Sequence, residues 1–165
     1  MSKRVPLTQG KFAIIDNEDF ERVSKFKWHY RKKRPNTKTG YAARGVRKLG
    51  TKSGFTTQAM HTFILGLNPF SIVDHINHDG LDNRKINIRK VDHFGNTQNA
   101  LKRIDNKSGF KGVCIHKASG KFCAQIMGNK DRIWLGLFNT ALEAAKAYNK
   151  AAKKYYGEYA CLNKL

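Results

Sequence analysis

Residues 73–84 read VDHINHDGLDNR, and this stretch decides how the middle of the chain folds. Asn, Asp and Gly crowd it, and such residues favour turns because their side chains hydrogen-bond to nearby backbone or, for Gly, because the backbone is unrestricted. An extended pattern resumes at residues 87–89, and a short helix is expected over residues 95–101. The sequence therefore predicts a strand, a long polar loop, a second strand and a helix, in this order.

The chain before this loop is predicted to be rich in β-strands. Short apolar runs such as residues 12–15 are separated by glycines and by a turn at Pro35-Asn36. A short helix is expected between Asp16 and Lys25. Residues 60–67 form an apolar stretch that ends before Pro69.

The chain after the loop has a second, self-contained pattern. Residues 102–107 are polar and are expected to be a linker, and turns are expected at Ser119-Gly120 and Gly128-Asn129. Around these turns lie three β-like runs, at residues 111–115, 122–127 and 133–138. Thr140 and Glu143 have the spacing of a capping box, and an Ala-rich helix then continues to Gly157. The predicted fold class is α+β, with a three-stranded antiparallel sheet packed on one helix at the C-terminus.

The charge of the chain indicates its partner. There are 32 Lys and Arg residues against 12 Asp and Glu, for a formal net charge of +20. Between Glu21 and Asp74 there is no acidic residue. Such a field attracts polyanions, and nucleic acid is the usual one. A merely solvated basic surface is the alternative.

Other features of the composition narrow the class of protein. No apolar run is long enough to span a bilayer and the start of the chain lacks a signal-peptide core, so a soluble cytoplasmic protein is expected. The three cysteines are odd in number and lack CxxC spacing. They are expected to be reduced, and neither a disulfide framework nor a structural zinc site is predicted.

Asp74-His75 is the candidate centre of chemistry. A carboxylate can hold a hard divalent cation, and an imidazole can take a proton from water near neutral pH. Together these are two needs of phosphodiester hydrolysis. On a regular strand the two side chains would point to opposite sides, so a bend is needed for both to serve one site.

The blocks around this pair resemble the His-Asn-His homing endonucleases of phages and mobile introns, which build a ββα-metal site. The matching blocks lie at residues 60–61, 73–77, 81–84, 87–89 and 96–99. The chain departs from the family pattern at His78, where relatives carry glycine, and at Thr62, where arginine is common. We expect His78 to have no catalytic role.

The resemblance implies a role for each matching residue. It implies that Asp74 is a metal ligand, that His75 is the general base and that the Asn87 amide pins the loop. Asn96 is implied as the second ligand, with His93 as the alternative because sequence alone does not fix the loop length. An Asp and Asn ligand set suits one Mg²⁺ or Mn²⁺ ion. Arg84 is the candidate phosphate contact within this part.

Residues 108–163 resemble the ethylene-response-factor (Apetala-type) DNA-binding domain of plants. In that family the sheet enters the major groove, which admits a two-stranded β-ribbon. The resemblance implies six DNA contacts: Lys111, His116, Lys121, Gln125, Arg132 and Trp134. Of these, Arg132 would read guanine and Gln125 adenine, while the two lysines would hold phosphates. Cys114 and Met127 stand where arginines are common in plants, so a different target sequence is expected.

These features together predict a metal-dependent, sequence-recognising DNA endonuclease that nicks or cuts double-stranded DNA as a monomer or dimer, in a host cytoplasm if phage-encoded. The alternatives are a DNA-binding regulator without catalysis and, third, an RNA-binding protein. The predicted domains are a basic DNA-contacting region, a nuclease core, a linker and a DNA-binding domain, over residues 1–59, 60–101, 102–107 and 108–165.

Overall fold

The computed structural model describes residues 1–32, 39–47, 54–128 and 131–165. The chain forms two compact units, Met1–Asp92 and His93–Leu165. The predicted turn at Pro35-Asn36, and Asn129 in the predicted turn at Gly128-Asn129, lie outside the described residues. No helix in the described ranges is long and apolar enough to cross a membrane.

The described residues of the first unit form three small antiparallel sheets and two short α-helices. The two-stranded sheet β1-β2 opens the chain, β3-β4-β5 follows, and β6-β7 closes the unit. The elements are β1 (Ser2–Pro6), β2 (Phe12–Asp16), α1 (Phe20–Ser24), β3 (His29–Arg31), β4 (Tyr41–Arg47), β5 (Phe55–Ala59), α2 (Met60–Ile64), β6 (Val73–His75) and β7 (Ile88–Lys90).

One core joins the early strands to the later elements of this unit. Ile15 of β2, Val23 of α1 and Met60 of α2 are fully buried in it, and Ile88 of β7 belongs to the same cluster. Trp28 is also buried, and its indole N–H donates to the carbonyl of Val23 at 2.9 Å. The short elements are therefore stabilised by a shared apolar interior rather than by their own length.

The second unit contains the predicted sheet and helix. Its elements are α3 (His93–Asn99), β8 (Val113–Ile115), β9 (Phe122–Met127), β10 (Arg132–Phe138) and α4 (Ala141–Tyr156). The three strands pair antiparallel in the order β10-β9-β8. Both halves of the capping box between Thr140 and Glu143 are formed, and Gly157 caps the other end of α4. The prediction of a three-stranded sheet packed on one helix is confirmed.

Small residues let α4 lie close to the sheet. Ala144, Ala145 and Ala152 are fully buried against it. On the sheet side, Gly112 has φ +73°, and a Cβ there would run into the ring of Tyr148. A larger residue at Gly112 would therefore face both a strained backbone and a steric clash.

Two features of the second unit were not predicted. The helix α3 packs within this unit, because Phe94 lies against Tyr156 with ring centroids 6.3 Å apart. Cys114 and Cys123 stand directly opposite each other on β8 and β9 and are bonded as a disulfide. The expectation that all three cysteines are reduced is therefore wrong for these two, because strand register, which CxxC spacing does not reveal, brings their sulfurs together.

Candidate functional site

The hairpin of β6 and β7 presents Asp74 and His75. The strands pair so that Asp74 faces Arg89 and His75 faces Ile88. Both side chains are buried. Burying a titratable side chain is expensive unless the surroundings satisfy it, so the neighbours of each residue decide what the site can do.

Asp74 is paired with Arg89. The Nε and Nη2 atoms of Arg89 both donate to Oδ2 of Asp74, at 3.1 and 2.9 Å. The pair is set by the strand register, since the two residues are directly opposite on β6 and β7. Sequence reasoning placed Arg89 in a family block but gave it no role, because only the register shows its partner.

His75 lies among aromatic rings. Its ring centroid is 5.0 Å from that of His61 on α2 and 5.6 Å from that of Tyr41 on β4. Burial lowers the pKa of His75 below its ordinary value. The side chain of Asn83 and the carboxylates of Asp74, Asp79 and Asp82 act in the opposite direction. The net lowering keeps the imidazole neutral at neutral pH, the form that accepts a proton.

His61, a half-buried residue, is the second histidine of this site. Its Nδ1 atom is buried without a hydrogen-bond partner among the described residues. Burial, and next the neighbouring His75, lower the pKa of His61 to about 3. His61 is therefore neutral across the physiological range. The sequence marked it as part of a family block, but no spacing rule gives the contact with His75.

The loop between β6 and β7 is braced by Asn87. Its Oδ1 accepts from the backbone N–H of Asn77 at 3.0 Å, and its Nδ2 donates to the carbonyl of Asp82 at 2.7 Å. The backbone of the same residue accepts from the N–H of Ile76 at 2.9 Å. One amide thus ties both ends of the loop together next to His75, as a loop-pinning asparagine would.

The same loop is anchored to the first sheet and to β4. The N–H of Asn83 donates to the carbonyl of Ile14 at 2.7 Å, and the N–H of Ile14 donates to Leu81 at 2.8 Å. Gly80 lies so near β4 that a Cβ would be 2.5 Å from the carbonyl oxygen of Gly40 and 2.6 Å from the Tyr41 ring. The site therefore depends on residues before position 60 as well as after it.

At His78 the loop departs from the family pattern, and the backbone conformation shows why glycine would suit this position. Its φ is +63°, in the left-handed region that favours glycine. This is the position at which the sequence departs from the glycine of the family that it resembles.

Arg84, the candidate phosphate contact, is held by a carboxylate. Its Nε and Nη2 atoms donate to the two oxygens of Asp82, at 2.7 and 2.6 Å. The hydrogen bonds from Arg84 hold the pKa of Asp82 below its usual range. The guanidinium is exposed at the surface of the loop. An anionic group on the solvent side of the loop can accept hydrogen bonds from the Arg84 guanidinium while Asp82 accepts others.

Asn96 and His93, the two candidates for the second metal ligand, lie on α3. Both are exposed, and they are one helical turn apart. Their positions on the helix do not favour either residue as the second metal ligand. They belong to the second compact unit, whereas Asp74 and His75 belong to the first.

The side chains around Asp74 decide which metal ions could be held there. No group of three or more His, Cys, Asp or Glu side chains that could hold a metal ion is found in the described ranges. A closed zinc site would require such a group. Mg²⁺ and Mn²⁺ instead bind through one or two protein oxygens and keep water or phosphate on the other positions. The buried carboxylate of Asp74 fits that pattern.

The outer face of the second-unit sheet brings three predicted contacts together. Strand alternation turns Ala124 and Ile126 of β9 toward α4, so Gln125 lies on the opposite face. Trp134 of β10 stands directly opposite Gln125, and its side chain is 54% exposed. Arg132 follows on the same face and is exposed.

The remaining predicted contacts occupy different positions. Lys121 is exposed at the start of β9, and Nδ1 of His116 lies 2.8 Å from Oγ of Ser119 in the turn before it. Lys111 is turned inward: its Nζ donates to the carbonyls of Gln98 and Ala100, both at 2.6 Å. Burial lowers the pKa of Lys111. In this arrangement its ammonium ties α3 to the sheet.

Comparison with known proteins bears on the second unit most directly. Residues 108–158 match the AP2 domain. Dehydration-responsive element-binding protein 2A of Arabidopsis thaliana is 40% identical over 81 residues, covering 46% of this chain and 24% of that protein. An ethylene-responsive transcription factor of Arabidopsis thaliana is 40% identical over 70 residues, covering 38% of this chain and 43% of that protein. The chain thus spans less than half the length of either relative. The AP2 domain supports binding to double-stranded DNA.

A third relative covers both units. An uncharacterized HNH endonuclease of Acanthamoeba polyphaga mimivirus is 28% identical over 163 residues, which is 95% of this chain and 77% of that protein. The aligned region therefore covers residues of both units. No solved structure matches the chain.

Proposed function

We propose that this protein is a metal-dependent DNA endonuclease of the His-Asn-His type that recognises its target with the AP2 domain. The observation that carries the proposal is the buried Asp74-His75 pair on a hairpin whose loop is braced by Asn87. The similarity to a viral HNH endonuclease over most of the chain supports it.

His75 would act as the general base. It is buried, neutral and positioned by the rings of His61 and Tyr41. It would take one proton from a water molecule as the water oxygen forms a bond to the scissile phosphorus and the bond to the leaving sugar oxygen breaks. The leaving oxygen then takes its proton from solvent, so the products are one free hydroxyl and one terminal phosphate.

Asp74 would hold the cation through its buried carboxylate, and Asn96 and His93 stay the candidates that the sequence offers for a second ligand. When bound, a divalent ion stabilises the negative charge that builds up on the phosphate and on the leaving oxygen. Asn87 acts indirectly, because its two side-chain hydrogen bonds fix the loop next to His75. It is therefore a positioning residue.

The outer face of the AP2 sheet would select the sequence. Arg132 offers a forked donor that suits guanine, and Gln125 offers the donor and acceptor that suit adenine. Trp134 adds an exposed ring beside Gln125. Lys121 and Arg84 would hold phosphates, which position the duplex without reading it.

Plasmid cleavage tests this proposal. Supercoiled DNA that carries candidate sites is incubated with Mg²⁺, with EDTA, and with the His75→Ala and His29→Ala variants. His29 is exposed on β3 and is the matched control. We expect cleavage that EDTA abolishes, that His75→Ala slows by about 100-fold or more, and that His29→Ala leaves unchanged. Open circular DNA indicates that one strand is nicked, and linear DNA indicates a double-strand cut. Undiminished cleavage by His75→Ala would refute the base assignment.

A regulator without catalysis is the second candidate, favoured by the similarity of residues 108–158 to transcription-factor domains. Sequence-specific binding without cleavage of any DNA, in Mg²⁺ or Mn²⁺, would select it.

A further inference from the structure

Arg89 stands apart from the other arginines that pair with carboxylates. Four such pairs occur within the described residues: Arg22–Asp19, Arg84–Asp82, Arg89–Asp74 and Arg103–Asp105. The guanidinium side chains of the other three pairs are 43%, 40% and 84% exposed. Arg89 is only 14% exposed, and its carboxylate partner 8%. This is therefore the pair whose two charges are both withdrawn from water.

A buried pair of this kind is not explained by stability alone. Removing two charges from water costs as much as or more than their attraction returns, and an apolar pair on neighbouring strands would serve the fold equally well. Both donors of Arg89 also converge on a single oxygen, Oδ2 of Asp74. The pair thus fixes the direction of this carboxylate next to His75.

We propose that Arg89 is the resident counter-ion of the metal site. Its guanidinium balances the charge of Asp74 and holds the carboxylate in place before a divalent cation binds, and it competes with that cation for the same oxygen. This inference rests on the proposed function, since it takes Asp74 as the metal ligand. Its consequence is that affinity for free metal is kept low, so that binding is favoured when a DNA phosphate supplies further oxygens.

Replacing Arg89 by Gln should therefore have two linked effects. The metal-free protein loses stability, because the buried carboxylate of Asp74 loses its ion pair with Arg89. Affinity for Mn²⁺ rises about tenfold or more, because a competing positive charge within a few ångströms of the ion is gone. Mn²⁺ should in turn raise the unfolding temperature of the variant more than that of wild type, since a ligand that binds the folded state stabilises it by RT ln(1 + [L]/Kd), which grows as Kd falls.

The experiment measures Mn²⁺ binding to the full chain by electron paramagnetic resonance, and thermal unfolding with and without Mn²⁺, in the absence of DNA. Arg22→Gln is the matched control, because Arg22 pairs with the buried Asp19 in the same unit. Relative to wild type, Arg22→Gln should lower the unfolding temperature by the same amount with and without Mn²⁺. Arg89→Lys keeps a cation and should bind Mn²⁺ close to the wild-type affinity, which provides a folded comparison if Arg89→Gln is too unstable to study alone.

Asp74→Asn separates the two proposals. If Asp74→Asn binds Mn²⁺ as tightly as wild type, Asp74 is not the ligand and the metal site of the proposed function fails. If Asp74→Asn weakens binding but Arg89→Gln binds no more tightly than Arg22→Gln, the inference about Arg89 alone is overturned. Tighter binding by Arg89→Gln with a larger Mn²⁺-induced rise in unfolding temperature supports it, and so does binding detectable in that variant alone. No binding by any variant overturns it.

Discussion

Lowering the pH should destabilise the first unit, because His61 is held neutral inside it. Burial and the neighbouring His75 lower the pKa of His61 to about 3. In the unfolded chain a histidine takes up a proton below a pH of about 6.5. Between these two values the unfolded state binds a proton that the folded state does not. The free energy of unfolding therefore falls as the pH drops below about 6.5, and the loss is complete near pH 3.

The size of this effect follows from the difference between the two pKa values. One group with these values contributes a loss of about 2 kcal/mol between pH 7 and pH 5, at about 1.4 kcal/mol per pH unit once the unfolded histidine is fully charged. The ring of His61 keeps a partly exposed edge, so this is an upper figure. His75 contributes in the same direction, because its pKa is lowered as well.

His61→Phe isolates the contribution of one residue. The ring that packs against His75 and Tyr41 is kept, while the titrating group is removed. The pH dependence of unfolding should therefore be smaller in the variant by the contribution of one proton. Between pH 7 and pH 5 the free energy of unfolding should fall by about 2 kcal/mol less in the variant than in wild type.

Urea unfolding at several pH values measures this difference. Trp28 is buried in the first unit and Trp134 is exposed in the second, so fluorescence in a Trp134→Phe background reports the first unit alone. His29→Phe is the control, because His29 is exposed on β3 of the same unit. If His61→Phe and His29→Phe show the same dependence on pH as the parent, His61 is not the buried neutral group described here.

Three further predictions concern other parts of the chain. His78→Gly should stabilise the first unit by about 1 kcal/mol in urea unfolding, because φ is +63° there, and a lower stability would contradict the strain. Gly112→Ala should destabilise the second unit by about 2 kcal/mol or more in thermal unfolding, since the new Cβ meets the Tyr148 ring. Gly120→Ala is the control: Gly120 has φ +68° with open space around it, and its substitution should cost about 1 kcal/mol. Lys121→Gln should weaken DNA binding equally on target and non-target duplexes and reduce the slope of log K against log salt by about 1, whereas Arg132→Gln should weaken binding to the target selectively; the reverse pattern would exchange their roles.

Local patterns predicted the second unit well, because its determinants are close together in sequence. The alternation of residues 122–127 and 133–138, the turn at Ser119-Gly120 and the Thr140–Glu143 capping box each fix a local feature. The strand-loop-strand order around Asp74 and His75 followed for the same reason. The helix of residues 93–99 was placed within two residues at each end, which is the usual uncertainty of a short helix.

The features that local patterns missed all depend on strand register or on packing between elements. Arg89 meets Asp74, and Cys114 meets Cys123, because of strand register. Lys111 looked like a phosphate contact by position, yet its ammonium donates to the carbonyls of Gln98 and Ala100. An exposed-looking lysine and one that ties two elements together have the same sequence signature, so only packing distinguishes them.

The candidate site also shows why its chemistry cannot be assigned to the loop residues alone. Tyr41 of β4 packs against both His61 and His75, and Gly80 of the loop approaches the backbone at Gly40 closely. The depressed pKa of His75 arises mainly from burial, and part of that burial comes from β4. The β-rich residues before position 60 therefore contribute to the candidate site itself. They supply one wall of the environment in which His75 stays neutral, and the state of the proposed base depends on them.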